Sequence, residues 1–384
     1  MSISRRHILA QAGGSAALLC FGSAALGRVV GDSRFAKPIT ETLAEAMANQ
    51  VAPGFQLAVM EQGKFIYHQS GGKANLATCE AVNSSSVFRI ASLSKQFTAA
   101  AILKLAQMGK LELNAPISRY LPFTAVLPEI RVIELIHQTA GLHSDESEVA
   151  ELQSETKNRT QIDLAKEITA QSNPVDFLPG TAWFYSNANF IMAGALIEQV
   201  SGKALHRAFR ELIFSPLGLK TIAMDHADDD VARRVVGYSH AENQPPTFVP
   251  AAFMKVEEAG GAGALRGTAS DLCRWHHALL NGRLLDPAHL QIMLAPGRLR
   301  DGRLSGANRF SPEDAHYGDV QYGCGLLVSP ASDPHPNIMH YGFISGFSAM
   351  LLTELKAQRT VAILFNADPG PALPFSKLRK LILT

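Results

Sequence analysis

The four residues Ser92-Leu93-Ser94-Lys95 have the spacing of a serine nucleophile and a lysine base. Residues three apart share one face of a helix, so a helix that begins at Ser92 brings its hydroxyl within reach of the Lys95 amine. A serine hydroxyl is a weak nucleophile until a base takes its proton, and a lysine acts as that base only when burial or nearby charge lowers its pKa. The apolar residues from Phe97 onward favour such burial. The helix N-terminus also offers N–H groups to an oxyanion.

A second pair with the same spacing, Ser154 and Lys157, lies in a charged stretch that is typical of a solvated surface. The pair at Ser92 is preferred because the extended run Ser86–Ile90 precedes it and an apolar, helix-periodic run follows it. We therefore take Ser92 and Lys95 as the candidate catalytic pair.

A tyrosine and an asparagine form the second candidate group, Tyr185-Ser186-Asn187. It lies between the turn-forming Pro179-Gly180 and an apolar helical run. A phenol can carry a proton to a leaving group when a nearby cation lowers its pKa, and the Asn187 amide can hold a substrate carbonyl and bridge to the lysine. The alternative is a core tyrosine followed by a helix-capping asparagine, and this group alone does not separate the two.

The third candidate group is His340-Tyr341-Gly342, which precedes Gly346-Phe347 and a strongly β-type run. A strand edge that lies against the nucleophile can hydrogen-bond an extended substrate, and its backbone N–H can complete an oxyanion hole with that of Ser92. A second copy, His316-Tyr317-Gly318, precedes Asp319 in a loop-like stretch. The copy at His340 is therefore preferred.

Strand-type runs lie at both ends of the chain, and helix-type runs lie between them. The predicted strands are Phe55–Met60 and Lys64–Gln69 (a hairpin), Ser86–Ile90, Gly323–Ser329, Phe347–Glu354 and Thr360–Asn366. The predicted helices are 37–50, Ser92–Met108, Arg131–His137, Asp163–Gln171, Ala188–Val200, Ser270–Asn281 and Phe375–Leu383.

This order predicts an α/β (α+β) fold in which an antiparallel sheet is flanked by helices and interrupted by an inserted all-helical domain. Residues 37–95 and 290–384 are assigned to the sheet-containing domain, and residues 96–289 to the mostly helical insertion. The candidate nucleophile then lies at the boundary between the two.

The composition is that of a globular chain without a charge bias. Of the 384 residues, 47% are hydrophobic and 18% are charged, and the formal net charge is +1. These values exclude disorder, and no basic cluster indicates nucleic acid as a partner. His276-His277 lack a glutamate at metal-ligand spacing, and the chain has no phosphate loop or dinucleotide fingerprint. No metal or cofactor is therefore expected.

Residues 1–27 differ in character from the rest. Arg5-Arg6 precede an apolar run, rich in Ala and Gly, from Ile8 to Leu26. A charged start followed by such a run is typical of an export signal, and Ser4-Arg5-Arg6 resembles a twin-arginine signal more than an ordinary secretory one. The expected location is therefore periplasmic or extracellular.

The signal is expected to be cleaved rather than retained as a membrane helix, because glycines such as Gly13 interrupt it. A lipid anchor at Cys20 is disfavoured by the bulky Leu19 before it. No later apolar run is long enough to span a membrane. The remaining cysteines have neither disulfide-framework nor zinc spacing and are expected to be buried free thiols, with one bridge between two of them as the alternative in an oxidising compartment: Cys79, Cys273 and Cys324.

Six ordered blocks of the sequence resemble the family of class C β-lactamases and penicillin-binding DD-peptidases across about residues 50 to 366. The blocks are Phe88–Lys95, Gln138–Leu142, Pro179-Gly180 with Tyr185–Asn187, Gly260-Gly261 with Thr268–Leu272, Tyr322–Leu326 and the His340 block. One block would carry little weight, whereas six in order are hard to obtain by chance.

The resemblance implies a β-lactamase/transpeptidase-like fold and a set of roles. Ser92 would form an acyl-enzyme, and Lys95 and Tyr185 would share the proton transfers, with the choice of base left open. Asn187 and the His340–Gly342 strand would bind substrate. The backbone N–H groups of Ser92 and Phe343 would hold the oxyanion, and water would release the acyl group.

The third motif departs from the Lys-Thr-Gly of many β-lactamases, because His340 replaces the lysine. A largely neutral imidazole suits a substrate carboxylate less well than a lysine does. This departure favours an esterase, amidase or D-amino-acid peptidase acting on a small-molecule ester, amide or peptide. Arg266 or Arg309 can meet a carboxylate instead, so a class C β-lactamase, and a sensor or penicillin-binding protein that stays acylated by a β-lactam, remain alternatives. The oligomeric state is left open.

Overall fold

The structure, a computed structural model, describes residues 30–31, 33–143, 159–241, 247–312, 321–370 and 372–383. The predicted signal with Cys20, the second Ser-Lys pair (Ser154, Lys157) and the second histidine motif (His316–Gly318) lie outside these ranges. Within them, no helix combines the length and the apolar character that crossing a membrane requires.

In the part of the chain that the structure describes, the main sheet has nine strands, and every neighbouring pair in it is antiparallel. Its strands are β1 Val30–Gly31, β2 Gly54–Glu61, β3 Lys64–Asn75, β4 Glu80–Ala81, β10 Gln321–Tyr322, β11 Leu327–Val328, β12 Asn337–Ile344, β13 Phe347–Glu354 and β14 Arg359–Phe365. They are arranged in the order β1-β3-β2-β14-β13-β12-β11-β10, and β4 pairs with β3. The two ends of the chain therefore meet where β2 pairs with β14.

Helices surround this sheet and the nucleophile. They are α1 Ser33–Ala48, α2 Ser94–Gln107, α3 Val132–Ile136, α4 Gln161–Thr169, α5 Asn187–Ser201, α6 Leu205–Phe209, α7 Ser215–Leu217, α8 Gly260–Gly263, α9 Ala269–Leu280, α10 Pro287–Leu294 and α11 Phe375–Leu383. A π-helical turn, Arg210–Phe214, joins α6 to α7. All residues from Ser94 to Leu103 of α2 are buried, so this helix is enclosed rather than amphipathic.

Both faces of the central strands are covered. Helices α1 and α11 pack on each other, α1 also contacts β3, and α11 contacts β13 and β14. Helix α9 packs on β2, β13 and β14. Every residue of β13 and β14 is accordingly buried, which explains the apolar runs Ala349–Leu352 and Val361–Phe365 within them.

The segment between the two halves of the main sheet contains short strands as well as helices. Strands β6 Ala223–Met224 and β9 Leu265–Gly267 form a small sheet with β5 Phe88–Arg89, and β7 Tyr238–His240 pairs with β8 Phe248–Pro250. The division at residues 96–289 stays a prediction, and α9, inside that range, packs on the main sheet.

Most predicted elements match the structure. The hairpin of β2 and β3, strand β13 and helix α11 are confirmed. The long strand predicted at Gly323–Ser329 is wrong, since only Leu327–Val328 pairs there and Gly325 turns the chain with a φ of 70°. Among the cysteines, Cys273 and Cys324 are buried free thiols. Cys79 lies at the surface and is disulfide-bonded, so the expectation of a buried free thiol is wrong for that residue.

A buried asparagine fastens the end of β14 to its surroundings. The Asn366 Oδ1 accepts from Gly54 N at 2.7 Å, and its Nδ2 donates to Lys73 O and Val236 O, each at 3.0 Å. Asn366 is fully buried. We expect Asn366→Ala to lower the free energy of unfolding by about 2–4 kcal/mol, because one buried and two partly buried backbone groups lose their partner.

Urea denaturation measures this loss. The matched control is Asn49→Ala at an exposed site after α1, where a change within about 0.5 kcal/mol is expected. Equal losses in the two variants would contradict the role assigned to Asn366.

Candidate active site

Ser92 lies where a short strand turns into the enclosed helix α2. Strand β5 ends at Arg89, and a 3-10 turn over Ala91–Leu93 leads into α2. Ala91 has a φ of 50°, a backbone conformation that residues with a side chain rarely adopt. The strained turn places the half-buried Ser92 at the start of the helix.

The Lys95 amine is fully buried and contacts three oxygen atoms. Its Nζ lies 3.1 Å from Ser92 Oγ, 2.8 Å from Asn187 Oδ1 and 2.9 Å from Ala262 O. All three partners are neutral groups, so they do not offset the loss of hydration as a carboxylate would. Burial lowers the pKa of Lys95 to about 7. The arrangement can therefore supply a neutral amine beside a serine hydroxyl near neutral pH.

The loop that carries Tyr185 lies against this amine. The centre of the Tyr185 ring is 4.9 Å from Lys95 Nζ. Asn187, exposed at its outer side, begins α5 and reaches Lys95 with its side chain. The structure thus brings four predicted site residues together in one partly solvent-exposed cluster: Ser92, Lys95, Tyr185 and Asn187.

Gln138 fastens that loop, and the sequence analysis did not single it out. Its buried Oε1 accepts from Ser186 N at 3.0 Å and from Asn189 Nδ2 at 2.5 Å. Its backbone O accepts from Phe184 N at 3.1 Å. The only sequence signal for it was its place at the start of the block Gln138–Leu142.

His340 lies on β12, behind Tyr185, and is buried. The ring centres of the two residues are 6.0 Å apart. Burial first, and the nearby Lys95 second, lower the pKa of His340 to about 3. The third motif therefore presents a neutral imidazole rather than a cation.

Tyr322 completes this aromatic group and was also missed as a site residue. Its hydroxyl lies 3.3 Å from His340 Nε2, and its ring meets that of Tyr185 edge-on at 6.0 Å. Tyr322 is buried, so it supports both side chains from behind. Its block Tyr322–Leu326 had been noted only for its resemblance.

Gly342 allows β12 to lie directly against the turn that precedes Ser92. A Cβ at Gly342 would meet Ile90 O at 2.3 Å. Strand β11 pairs with β12 only at residues 338 and 339, so β11 does not cover the edge from His340 onward. The side chain of Phe343 is 45% exposed at this edge. The structure therefore brings the third predicted motif next to the nucleophile.

The two arginines suggested for a substrate carboxylate have other contacts. Arg266 donates to Met224 O at 2.7 Å and to the Asp225 carboxylate at 3.3 Å, so the expectation that it faces the substrate is not supported. Arg309 lies over the Trp183 ring at 5.5 Å. His276, taken as structural, is buried and contacts Gln96 Oε1 and Thr353 Oγ1, each at 2.7 Å.

A family model of β-lactamases matches residues 39–383, nearly all of the described chain. The chain belongs to the β-lactamase family. Its curated relatives include penicillin-binding protein 4* of Bacillus subtilis, 22% identical over 337 residues, which cover 85% of this chain and 71% of the relative. Esterase EstB of Burkholderia gladioli is 26% identical over 348 residues, which cover 79% and 84%.

Solved structures share the fold. A D-stereospecific amidohydrolase from Streptomyces sp. superposes with a TM-score of 0.70 at 25% identity, covering 86% of this chain and 94% of that one. A D-amino acid amidase from Ochrobactrum anthropi SV3 gives 0.74 at 24% identity, covering 91% and 97%. The fold is thus the β-lactamase/transpeptidase-like fold, and the chain is a serine hydrolase of the β-lactamase and penicillin-binding superfamily.

The lowered pKa of Lys95 makes stability depend on pH. The amine has a pKa of about 7 in the folded chain and of 10.5 as its ordinary value, so between these pH values the unfolded chain binds more protons. The free energy of unfolding of the parent chain should therefore rise with pH in this window, by up to about 1.4 kcal/mol per unit, relative to Lys95→Met.

Urea denaturation of both proteins at about pH 7, 8 and 9, in the lower part of this window, measures the difference between their free energies of unfolding. Lys110→Met, at an exposed lysine after α2, is the matched control and should keep the slope of the parent protein. Parallel curves for the parent and Lys95→Met would show that Lys95 is not desolvated.

Proposed function

We propose that this chain hydrolyses neutral carboxylic esters and amides through an acyl-enzyme at Ser92. The observation that carries the proposal is the buried Lys95 Nζ, 3.1 Å from Ser92 Oγ and with a pKa of about 7. A lysine that is neutral at working pH can take the proton of a neighbouring hydroxyl, whereas a solvated lysine cannot.

In the acylation step, Lys95 takes the Ser92 proton while Oγ attacks the substrate carbonyl carbon. The oxyanion forms beside the backbone N–H groups of Ser92 and Phe343, and collapse breaks the bond to the leaving group. Tyr185, beside the Lys95 amine, gives its phenol proton to that leaving group and takes up the proton of the Lys95 ammonium. Water then attacks the acyl-enzyme and loses a proton to Lys95, which passes it to Ser92 Oγ as the bond between the acyl carbon and Oγ breaks. The products are the carboxylic acid and the free serine.

Two features favour uncharged substrates. The third motif presents a neutral His340 with a pKa of about 3, and Arg266 is bound to Asp225. Neither supplies the charge-assisted hydrogen bonds that recognise a β-lactam carboxylate. The relative named esterase EstB, at 26% identity, supports ester hydrolysis. Because another relative is named a penicillin-binding protein, class C β-lactamase activity and stable acylation by a β-lactam are the alternatives.

Export is part of the proposal and has only sequence support. The paired Arg5-Arg6 and the apolar run after them suggest a twin-arginine signal and a periplasmic or extracellular enzyme. Replacing Arg5-Arg6 by two lysines and following the chain by cell fractionation tests this point.

Removing the nucleophile should abolish turnover. We expect Ser92→Ala to lower kcat/KM for p-nitrophenyl butyrate by roughly 10³-fold or more, because no acyl-enzyme can form. Ser84→Ala, at an exposed serine, is the matched control and should keep the parent rate. Equal turnover by all three proteins would exclude Ser92.

The same panel separates the alternatives when nitrocefin and D-phenylalanine amide are added. Ester turnover that exceeds nitrocefin turnover supports the proposal, whereas the reverse order supports a β-lactamase. A long-lived β-lactam adduct on Ser92, detected by mass spectrometry without turnover, supports the sensor.

The rate should rise with pH through about 7, because Lys95 accepts a proton only when it is neutral. Below that value kcat/KM for the ester should fall about tenfold per pH unit. A profile that is flat from about pH 5 to 9 would exclude Lys95 as the base.

A further inference from the structure

Three arginines surround one carboxylate close to the nucleophile, and the proposed reaction uses none of them. The fully buried Asp225 accepts from Arg89 Nε at 2.9 Å, Arg234 Nη1 at 3.1 Å and Arg266 Nη1 at 3.3 Å. Three guanidinium groups around one carboxylate leave a surplus of two positive charges. Surplus charge at a partly buried site attracts an anion.

The three arginines differ in how many of their hydrogen-bond donors have a partner among the described residues. Arg266 also donates to Met224 O, and Arg234 also donates to two backbone oxygens, those of residues 226 and 227. Arg89 uses only Nε for hydrogen bonds to the described residues. Its two terminal nitrogens are thus the donors available to a ligand.

Arg89 and Arg234 line an open pocket of about 390 Å³. The Phe347 ring supports Arg89, with its centre 5.9 Å from the guanidinium carbon. Much of the remaining wall is apolar and includes Val231, Ala252 and Phe253. The acidic Asp230, exposed at the pocket, offsets part of the surplus.

A pocket with a cationic end and an apolar wall is complementary to a ligand that has an anionic group at one end and an apolar body. We propose that the pocket binds a small organic carboxylate, with its oxygens on the Arg89 terminal nitrogens and its apolar body against Phe253. The volume suits a molecule of about the size of benzoate, because small-molecule pockets start at about 300 Å³. Ser92, Tyr185 and His340 do not line the pocket, so the proposal places the carboxylate outside the proposed active site.

Calorimetric titration with benzoate tests the proposal on the full chain. The neutral isostere benzamide should bind at least about tenfold more weakly, because it cannot form charge-assisted hydrogen bonds. Ala252→Glu, which places a carboxylate at the pocket wall, should weaken benzoate binding by about tenfold or more. The uncharged Ala252→Gln is the matched control and should bind benzoate within about twofold of the parent chain.

Benzoate binding should persist after a fluorophosphonate has blocked Ser92, and also in Ser92→Ala, so the test does not depend on the proposed hydrolysis. Loss of binding on blocking Ser92 would place the ligand in the active site and overturn the proposal. So would equal binding of benzoate and benzamide, unchanged binding in Ala252→Glu, binding of inorganic phosphate as tight as that of benzoate, or no binding up to roughly 10 mM.

Discussion

The Lys95 amine is held out of water, and much of the architecture around the candidate site serves that placement. A buried ammonium without a counter-ion is costly, so the group shifts toward its neutral form. The three oxygens around it come from the 3-10 turn before α2, from the start of α5 and from α8. These helices pack on one another, so the lysine keeps its position only while all of them are in place.

The sequence was most informative where chemistry is local. Ser92 and Lys95 are one helical turn apart, and the β2–β3 hairpin follows from alternation around a glycine turn, so short-range spacing was enough to predict both. Gln138 and Tyr322 were missed as individual residues because their roles lie in contacts with segments that are distant in the chain. The ion pair between Arg266 and Asp225 was not foreseen for the same reason, since the two residues lie 41 positions apart.

Cationic and neutral groups are divided between two neighbouring regions of the protein. Around Ser92 the partners are neutral oxygens, aromatic rings and an uncharged imidazole. Three residues earlier in the chain, Arg89 belongs to a cluster in which positive charge exceeds negative charge. Positive charge near an amine disfavours its ammonium form, so this neighbour does not oppose the neutral state of Lys95.

The close approach of Gly342 to Ile90 also determines the point during synthesis at which the protein can become active. The segment before the nucleophile needs β12 beside it, and β2 needs β14, which is made only near the end of the chain. A ribosome-bound chain that stops before Asn337 therefore holds the serine and the lysine without β12 and β14. Hydrolytic capacity should thus emerge abruptly as the last strands join the sheet, rather than growing with chain length.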